Sequence, residues 1–266
     1  RDVMKTIPYG RQWVEEKDIR AVVNVLKSDY LTQGPVIEQF ESAVAEYCGV
    51  KYAVAVSSGT SALHIACLAA ELGKGDILWT SPNTFVASAN CALYCDAKLD
   101  FVDIAPHTYN ISVDAMKAKL YEAEKNDSLP KVIVPVHIAG QSCDMEQIYH
   151  LGKDYNFTII EDACHAIGGS YKGMKIGSCK FSDMTVFSFH PVKIVTTGEG
   201  GMVLTNKDDL YQKLIRLRTH GITRDNQFME GESDGPWYYQ QIELGMNYRM
   251  TDIQAALGLS QLDRID

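Results

Sequence analysis

TVFSFHPVK, residues 185–193, followed by TTGEGG at 196–201, is the stretch that decides the fold. Its first five residues are β-branched, aromatic or small, a composition typical of a buried strand. The strand runs into a polar turn that brings Lys193 to the strand end, with three glycines close behind. A lysine that packed backbone keeps from water has a lowered pKa and can attack a carbonyl carbon. Taken alone, however, Lys193 is better explained as a solvated loop residue.

Composition limits the classes of protein to which the chain can belong. Its 266 residues, 46% of them hydrophobic, are enough for one large α/β domain, or for one domain and part of another. The net charge of −9 argues against binding to nucleic acid or to an anionic membrane. The seven cysteines are scattered without a C-x-x-C pair, and no secretory leader or membrane-spanning run is visible. We therefore expect a cytoplasmic protein with reduced thiols.

Short apolar strands alternate with helices along most of the chain. Besides the strand before Lys193, strands are predicted at 52–56, 77–80, 99–103, 132–136 and 157–162, and helices at 13–26, 36–47, 60–72, 85–94, 112–125, 143–155 and 252–262. The first helix is predicted to bury an apolar face made of Val14, Ile19, Val22, Val23 and Leu26. The polar stretch at 224–245 has no periodicity and is predicted to be a long loop. The alternation predicts an α/β fold, with a mostly parallel sheet sandwiched by helices.

Small residues follow the first strand, where a helix is predicted to begin. Ser58-Gly59-Thr60-Ser61 would place free backbone N–H groups at a helix N-terminus, and the helix dipole there favours a phosphate. The motif lacks the P-loop lysine and is not G-x-G-x-x-G, so a mononucleotide or dinucleotide is disfavoured. A purely structural turn is the alternative.

Three further groups converge at the carboxyl ends of the strands, where parallel sheets bind ligands. Asp162 ends an apolar strand, and a carboxylate at that depth needs a cationic partner such as a protonated ring nitrogen, unless it only caps a helix. Strand alternation places Ser188 on the face opposite Phe187, where it can contact phosphate. Phe85 can present a ring for stacking, although a core position is the alternative.

One cofactor accounts for all of these groups. Pyridoxal 5′-phosphate (PLP) needs a lysine for its aldehyde, an acid against its ring nitrogen, an anion cradle and an aromatic ring to stack on. The competing interpretation, a metal site at Cys164, His165 and Cys179, matches no zinc spacing and leaves Asp162 and Lys193 unexplained. We therefore predict PLP and no metal.

The motifs resemble, over the whole chain, those of the DegT/DnrJ/EryC1/StrS sugar-aminotransferase family. The resemblance is carried by SGTSALH at 58–64, EDACHA at 161–166, FSFHPVK at 187–193, TGEGG at 197–201 and NYRM at 247–250. Within the family, PYGRQ at 8–12, YLTQGP at 30–35, HIAGQ at 137–141 and RTHGI at 218–222 look most like the pseudaminic-acid branch.

The resemblance implies a role for each matching residue. Lys193 would bind the cofactor aldehyde and act as the catalytic acid and base, with Asp162 as the second catalytic residue, paired with the ring nitrogen. The other cofactor contacts would be Gly59, Thr60, Ser61, Phe85, His165, Ser188 and, usually from the neighbouring subunit, Asn247. Contacts with the nucleotide sugar would come from Tyr9, Gln33, His137 and Arg249.

The resemblance also implies an aspartate-aminotransferase type I fold and a homodimer with shared active sites. Residues 1–250 would form the PLP-binding large domain with its N-terminal segment, and residues 251–266 would begin the helix leading to a C-terminal small domain that this chain lacks. The expected substrates are L-glutamate and a UDP-4-keto-6-deoxy-N-acetylhexosamine. The alternatives are another NDP-4-keto or 3-keto deoxysugar, a dehydratase on the same scaffold, which Lys193 disfavours, and a non-catalytic sensor that binds PLP and a nucleotide sugar.

Overall fold

A computed structural model describes residues 10–231 and 233–266 and shows a seven-stranded central sheet. The strands of this sheet are β1 (Tyr52–Val56), β2 (Ile77–Thr80), β3 (Lys98–Phe101), β4 (Val132–Val134), β5 (Thr158–Asp162), β8 (Met184–Ser188) and β9 (Gly201–Thr205). Two short hairpins lie outside it: β6 (Ser170–Tyr171) pairs with β7 (Met174–Lys175), and β10 (Ile222–Thr223) pairs with β11 (Gln240–Gln241). The sheet order is β1-β9-β8-β5-β4-β2-β3, and only β9 runs antiparallel to its neighbours. The predicted mostly parallel sheet is confirmed.

Eight helices cover this sheet in the part of the chain that is described. They are α1 (Glu16–Leu26), α2 (Pro35–Cys48), α3 (Gly59–Ala69), α4 (Ala87–Tyr94), α5 (Val113–Lys125), α6 (Met145–Tyr155), α7 (Asp208–Arg218) and α8 (Asp252–Leu262), with a 3-10 turn at Ile138–Gly140. On one face, α3, α4 and α7 share a buried core with Val54 and Val186 of the sheet. On the other face, α2 and α8 pack with Ala55 and Phe187, while α5 and α6 cover β4 and β5. None of the described helices is long and apolar enough to cross a membrane.

Local signals placed several helix ends correctly. Thr251 caps α8, and its hydroxyl accepts the N–H of Gln254. Ser112 caps α5 in the same way. Gly49 closes α2 in the left-handed conformation, with φ 69°, as a glycine after a helix does.

The first helix differs from its prediction. It begins at Glu16 rather than Trp13, and its buried residues are Asp18 and Val25. Ile19 and Leu26, which were expected inside, are exposed. The reason is that α1 packs against α8, where polar and charged groups receive Asp18, so the contact does not follow the apolar stripe. Because α8 also packs against α2, it is part of the same packed unit as the sheet and its helices. A domain boundary at residue 250 stays a prediction.

Candidate active site

A cavity of about 590 Å3 lies at the carboxyl ends of β5 and β8, beside the first turn of α3. It is lined by seven of the predicted site residues: Gly59, Thr60, Phe85, Asp162, His165, Ser188 and Lys193. The parallel strands bring residues far apart in sequence to one edge of the sheet, as expected for an α/β fold.

The N-terminus of α3 is closed by a reciprocal cap. The Ser58 hydroxyl accepts the N–H of Ser61 at 3.0 Å, while the Ser61 hydroxyl accepts the N–H of Ser58 at 2.9 Å. Ser61 is buried in this cap and does not line the cavity, so the structure does not place it with the other predicted cofactor contacts. The amides of Gly59 and Thr60 have no intrahelical acceptor, so they are available to an anion.

Gly59 and Ser188 lie in close contact at the bottom of this anion site. A Cβ atom at position 59 would lie 2.8 Å from the Ser188 Cβ and 3.1 Å from its hydroxyl oxygen. Only glycine therefore allows the start of α3 to lie against the end of β8. Phe187 and Phe189 point into the core, while Ser188 and His190 line the cavity, so the predicted alternation is confirmed.

Asp162 is a buried carboxylate, 5% exposed, at the end of β5. Its Oδ2 accepts the hydroxyl of Ser88 at 2.5 Å, and its Oδ1 accepts the N–H of Cys164 at 3.2 Å. Within residues 10–231 and 233–266, no lysine, arginine or histidine forms an ion pair with it. A buried carboxylate that is hydrogen-bonded but lacks a cation is suited to a positively charged ligand.

Lys193, His165 and Phe85 surround the space in front of this carboxylate. Lys193 is half-buried, and its backbone N–H donates to the backbone carbonyl of His190 at 2.8 Å. Burial and the Lys193 ammonium lower the pKa of His165, outweighing the opposite effect of Asp162, so the imidazole is neutral at pH 7. Phe85 is 67% exposed, which excludes the core position that was its alternative.

Three predicted residues lie elsewhere. Gln33 and Arg249 line a second cavity of about 540 Å3 formed mainly by α2 and α7. Asn247 is exposed, outside both cavities, and pairs through its backbone with Thr219. Tyr9 falls outside the described residues.

His137 is placed where it cannot meet a substrate. Its side chain is completely buried, with Nε2 donating to Glu161 Oε2 at 2.6 Å and Nδ1 accepting the N–H of Cys143 at 3.1 Å. This corrects the expectation that His137 contacts the nucleotide sugar, because neither ring nitrogen is free to do so. Its sequence position after an apolar strand did not reveal that Glu161 faces it.

The sequence reasoning missed four residues of the site. Thr84, Cys164 and Glu199 line the cavity, and Ser88 lies behind it on Asp162. Thr84 lies in the bend before α4 and Ser88 in the first turn of that helix, and their hydroxyl oxygens are 2.7 Å apart. The contact of Ser88 with Asp162 joins residues 74 positions apart and leaves no sign in the sequence.

The donor set fits a cofactor that carries both a phosphate and a protonated ring nitrogen. Gly59 leaves room for an anion at the start of α3, the hydroxyl of Ser188 borders that room, and Asp162 offers a negative charge deeper in the cavity. Lys193 supplies the amine in the same cavity.

Comparison with known proteins gives matches along almost the whole chain. The model of the DegT/DnrJ/EryC1/StrS aminotransferase family matches residues 12–266. A UDP-4-amino-4,6-dideoxy-N-acetyl-beta-L-altrosamine transaminase of Campylobacter jejuni is 42% identical over 260 residues, covering 98% of this chain and 65% of that protein. A GDP-perosamine synthase of Caulobacter vibrioides is 42% identical over 233 residues, covering 88% of this chain and 58% of that protein. The chain thus spans less than two thirds of the length of these relatives.

Solved structures show the same fold. PseC of Helicobacter pylori, an aminotransferase involved in the biosynthesis of pseudaminic acid, superposes with a TM-score of 0.87 at 33% identity, covering 98% of this chain and 66% of that one. The PLP form of the putative sugar aminotransferase Spr1654 of Streptococcus pneumoniae gives a TM-score of 0.83 at 30% identity, covering 98% and 67%. The fold is therefore that of the PLP-dependent aminotransferases.

Proposed function

The chain belongs to the DegT/DnrJ/EryC1/StrS aminotransferase family, and from this premise we propose that it uses PLP to move an amino group from L-glutamate to C4 of a UDP-4-keto-6-deoxy-N-acetylhexosamine. The observation that carries the proposal is the convergence of Lys193, the buried Asp162 carboxylate and the free amides of Gly59 and Thr60 on one cavity. A PLP-bound sensor without catalysis would hold the cofactor with the same groups, so the convergence supports the PLP site and measured amino transfer separates the enzyme from the sensor.

The residues would hold the cofactor at its two ends and its faces. The amides of Gly59 and Thr60 and the hydroxyl of Ser188 would hold the phosphate, and Asp162 would keep the ring nitrogen protonated. Phe85 would stack on the ring, and His165, which is neutral, would lie near the 3-hydroxyl. When bound, PLP supplies an electrophilic carbon for amines and a ring that takes up electrons.

Lys193 would have two tasks in the reaction. Its Nζ would bind the cofactor aldehyde in the resting enzyme. As a free amine, Nζ would take a proton from the substrate carbon as a base and return it as an acid. Amino transfer in both half-reactions depends on this one group.

The sugar substrate is proposed from the sequence and from relatives. The C. jejuni relative and H. pylori PseC are both named for the pseudaminic-acid route, and the chain carries the motifs of that branch. The GDP-perosamine synthase is the reason to keep another NDP-4-keto sugar as the second candidate. We place the reaction in the cytoplasm, where L-glutamate and nucleotide sugars are available.

A homodimer would complete the site. Asn247 is exposed and outside the cavity of its own chain, which is consistent with a contribution to the phosphate site of a neighbouring copy. Gln33 and Arg249 also lie away from Lys193 of the same chain, so any contact with the nucleotide sugar would be made across the dimer interface.

Replacing the lysine tests the activity directly. Lys193→Ala should lower amino transfer by more than about 10³-fold, because both the covalent link and the proton carrier are lost. The assay would measure 2-oxoglutarate formed from L-glutamate with each sugar of a panel of UDP-4-keto-6-deoxy sugars in both C5 epimers. Lys180→Ala, at an exposed lysine outside the cavity, is the matched control.

Two results would contradict the proposal. Appreciable turnover by Lys193→Ala would exclude Lys193 as the catalytic lysine. If the unaltered chain aminates other 4-keto sugars but not the L-arabino epimer, the pseudaminic assignment is wrong while the aminotransferase assignment stands.

A further inference from the structure

We propose that Ser88 is a positioning residue for Asp162, whose carboxylate it holds aimed at the protonated ring nitrogen of the cofactor. This inference rests on the proposed function, because it presupposes that Asp162 pairs with that nitrogen. Ser88 itself does not line the cavity and acts only through the carboxylate.

The contact between the two residues is short and buried. Ser88 is completely buried near the start of α4, and its Oγ lies 2.5 Å from Asp162 Oδ2. Hydroxyl to carboxylate bonds of 2.5–2.7 Å are the charge-assisted kind, roughly twice as strong as neutral ones. The contact therefore restrains Oδ2 of Asp162 from the side of α4.

The direction of the hydrogen bonds in this cluster follows from counting protons. Ser88 has one hydroxyl proton, and an ionised carboxylate can only accept. Thr84 Oγ1 lies 2.7 Å from Ser88 Oγ and must therefore donate to it. The hydroxyls of Thr84 and Ser88 thus both point their protons towards Asp162, and Thr84 directly precedes Phe85, the ring-stacking candidate.

Both carboxylate oxygens are restrained, and from different elements. Oδ1 accepts the N–H of Cys164, which follows β5, whereas Oδ2 is bound from α4. β5 alone sets where the Asp162 backbone lies, but two bonds on opposite oxygens set the plane of the carboxylate. The orientation of the charge towards the cavity thus depends on the packing of α4 over the sheet.

The test is whether Ser88 acts specifically on the ring nitrogen. Fluorescence titration of the cofactor-stripped chain would measure the dissociation constants of two ligands, PLP and 1-deazapyridoxal 5′-phosphate. The second ligand has carbon in place of that nitrogen. Ser88→Ala should weaken PLP binding by about tenfold or more, as expected for losing a hydrogen bond to a charged group, and leave binding of the deaza analogue unchanged. Thr84→Val should shift the same ratio in the same direction by a smaller factor.

The control is Ser81→Ala, at another completely buried serine whose hydroxyl has no partner among the described residues. It should leave the preference for PLP over the analogue unchanged, and thermal melting would verify that each variant is folded. Equal weakening of both ligands by Ser88→Ala, or no weakening at all, would overturn the positioning role. If the unaltered chain itself binds PLP and the analogue equally well, the pairing of Asp162 with the ring nitrogen fails instead.

Discussion

At residue 59, the absence of a side chain decides whether an anion site can exist. The start of α3 lies so close to β8 that a methyl group at Gly59 would meet both Cβ and Oγ of Ser188. Gly201 on β9 is equally constrained, since a Cβ there would overlap the carbonyl of Ser58. Two glycines from distant parts of the chain thus let three segments of backbone meet around one small space.

Gly59→Ala should therefore reduce both the stability of the fold and cofactor binding. Overpacking of this kind typically costs about 1–3 kcal/mol, and here the strain falls on the hydroxyl and amides proposed to hold the phosphate. We expect PLP affinity to fall by roughly tenfold or more, measured by fluorescence titration. Gly73→Ala is the matched control, because a Cβ at that position has no atom within 4 Å. Equal affinities for the two variants would contradict the proposed phosphate site.

At the scale of elements, α8 ties the N-terminal helices to the sheet domain. The completely buried Asp18 of α1 accepts hydrogen bonds from Ser260 at 2.7 Å, Gln261 at 3.0 Å and Arg264 at 2.6 Å. Burial alone would raise the pKa of Asp18, but the bonds from Arg264 and its neighbours outweigh it and lower that pKa. Asp252, at the start of α8, accepts the N–H groups of Gly34 and Val36 and so fixes the start of α2.

Asp18→Asn should destabilise the protein by about 1.5–3 kcal/mol, the range for hydrogen bonds to a charged group. Urea denaturation followed by circular dichroism would measure the free energy of unfolding. Asp263→Asn serves as control on the same helix pair, since its ion pair with Lys17 is exposed and such pairs contribute less than about 1 kcal/mol. If both variants lower the free energy of unfolding by the same small amount, α1 and α8 are not held together by Asp18.

At the scale of the whole molecule, a second buried carboxylate in the sheet, that of Glu161, makes the free energy of unfolding depend on pH in the acid range. Glu161 accepts hydrogen bonds from His137, Ser182 and Thr185. Burial raises the pKa of Glu161, but these bonds outweigh it, His137 first, and the net shift is downward from 4.5. Since the folded pKa is below the unfolded one, this stabilisation is present above about pH 4.5 and is lost as the pH falls through the folded pKa.

The unaltered chain should therefore lose stability on acidification more steeply than Glu161→Gln. At neutral pH the variant is the less stable protein, and the two free energies of unfolding should converge as the pH falls below about 4.5 and through the folded pKa. Urea denaturation at a series of pH values would show this, with Glu122→Gln, at an exposed ion pair, as control. Parallel curves for the unaltered chain and Glu161→Gln would mean that Glu161 has the same pKa in both states.

The sequence by itself determined the order of most elements, although not β9 and α7, and most of the candidate site. Residue composition located β8 before Lys193, and hydroxyl residues that cap helices located Ser112 at the start of α5 and Thr251 at the start of α8, because both signals act over a few residues. Because parallel strands end at one edge of the sheet, the sequence also predicted that Asp162, Lys193 and the start of α3 would meet.

Only the tertiary structure decided which side chains face one another across elements. It placed Ser88 on Asp162, enclosed His137 against Glu161, turned Asp18 of α1 inward and sent Gln33 and Arg249 to a different cavity from Lys193. The physical reason is that such contacts join residues far apart in the chain. They depend on how helices pack over strands, where burial and hydrogen bonding together set the free energy, and no local pattern of residue types records that outcome.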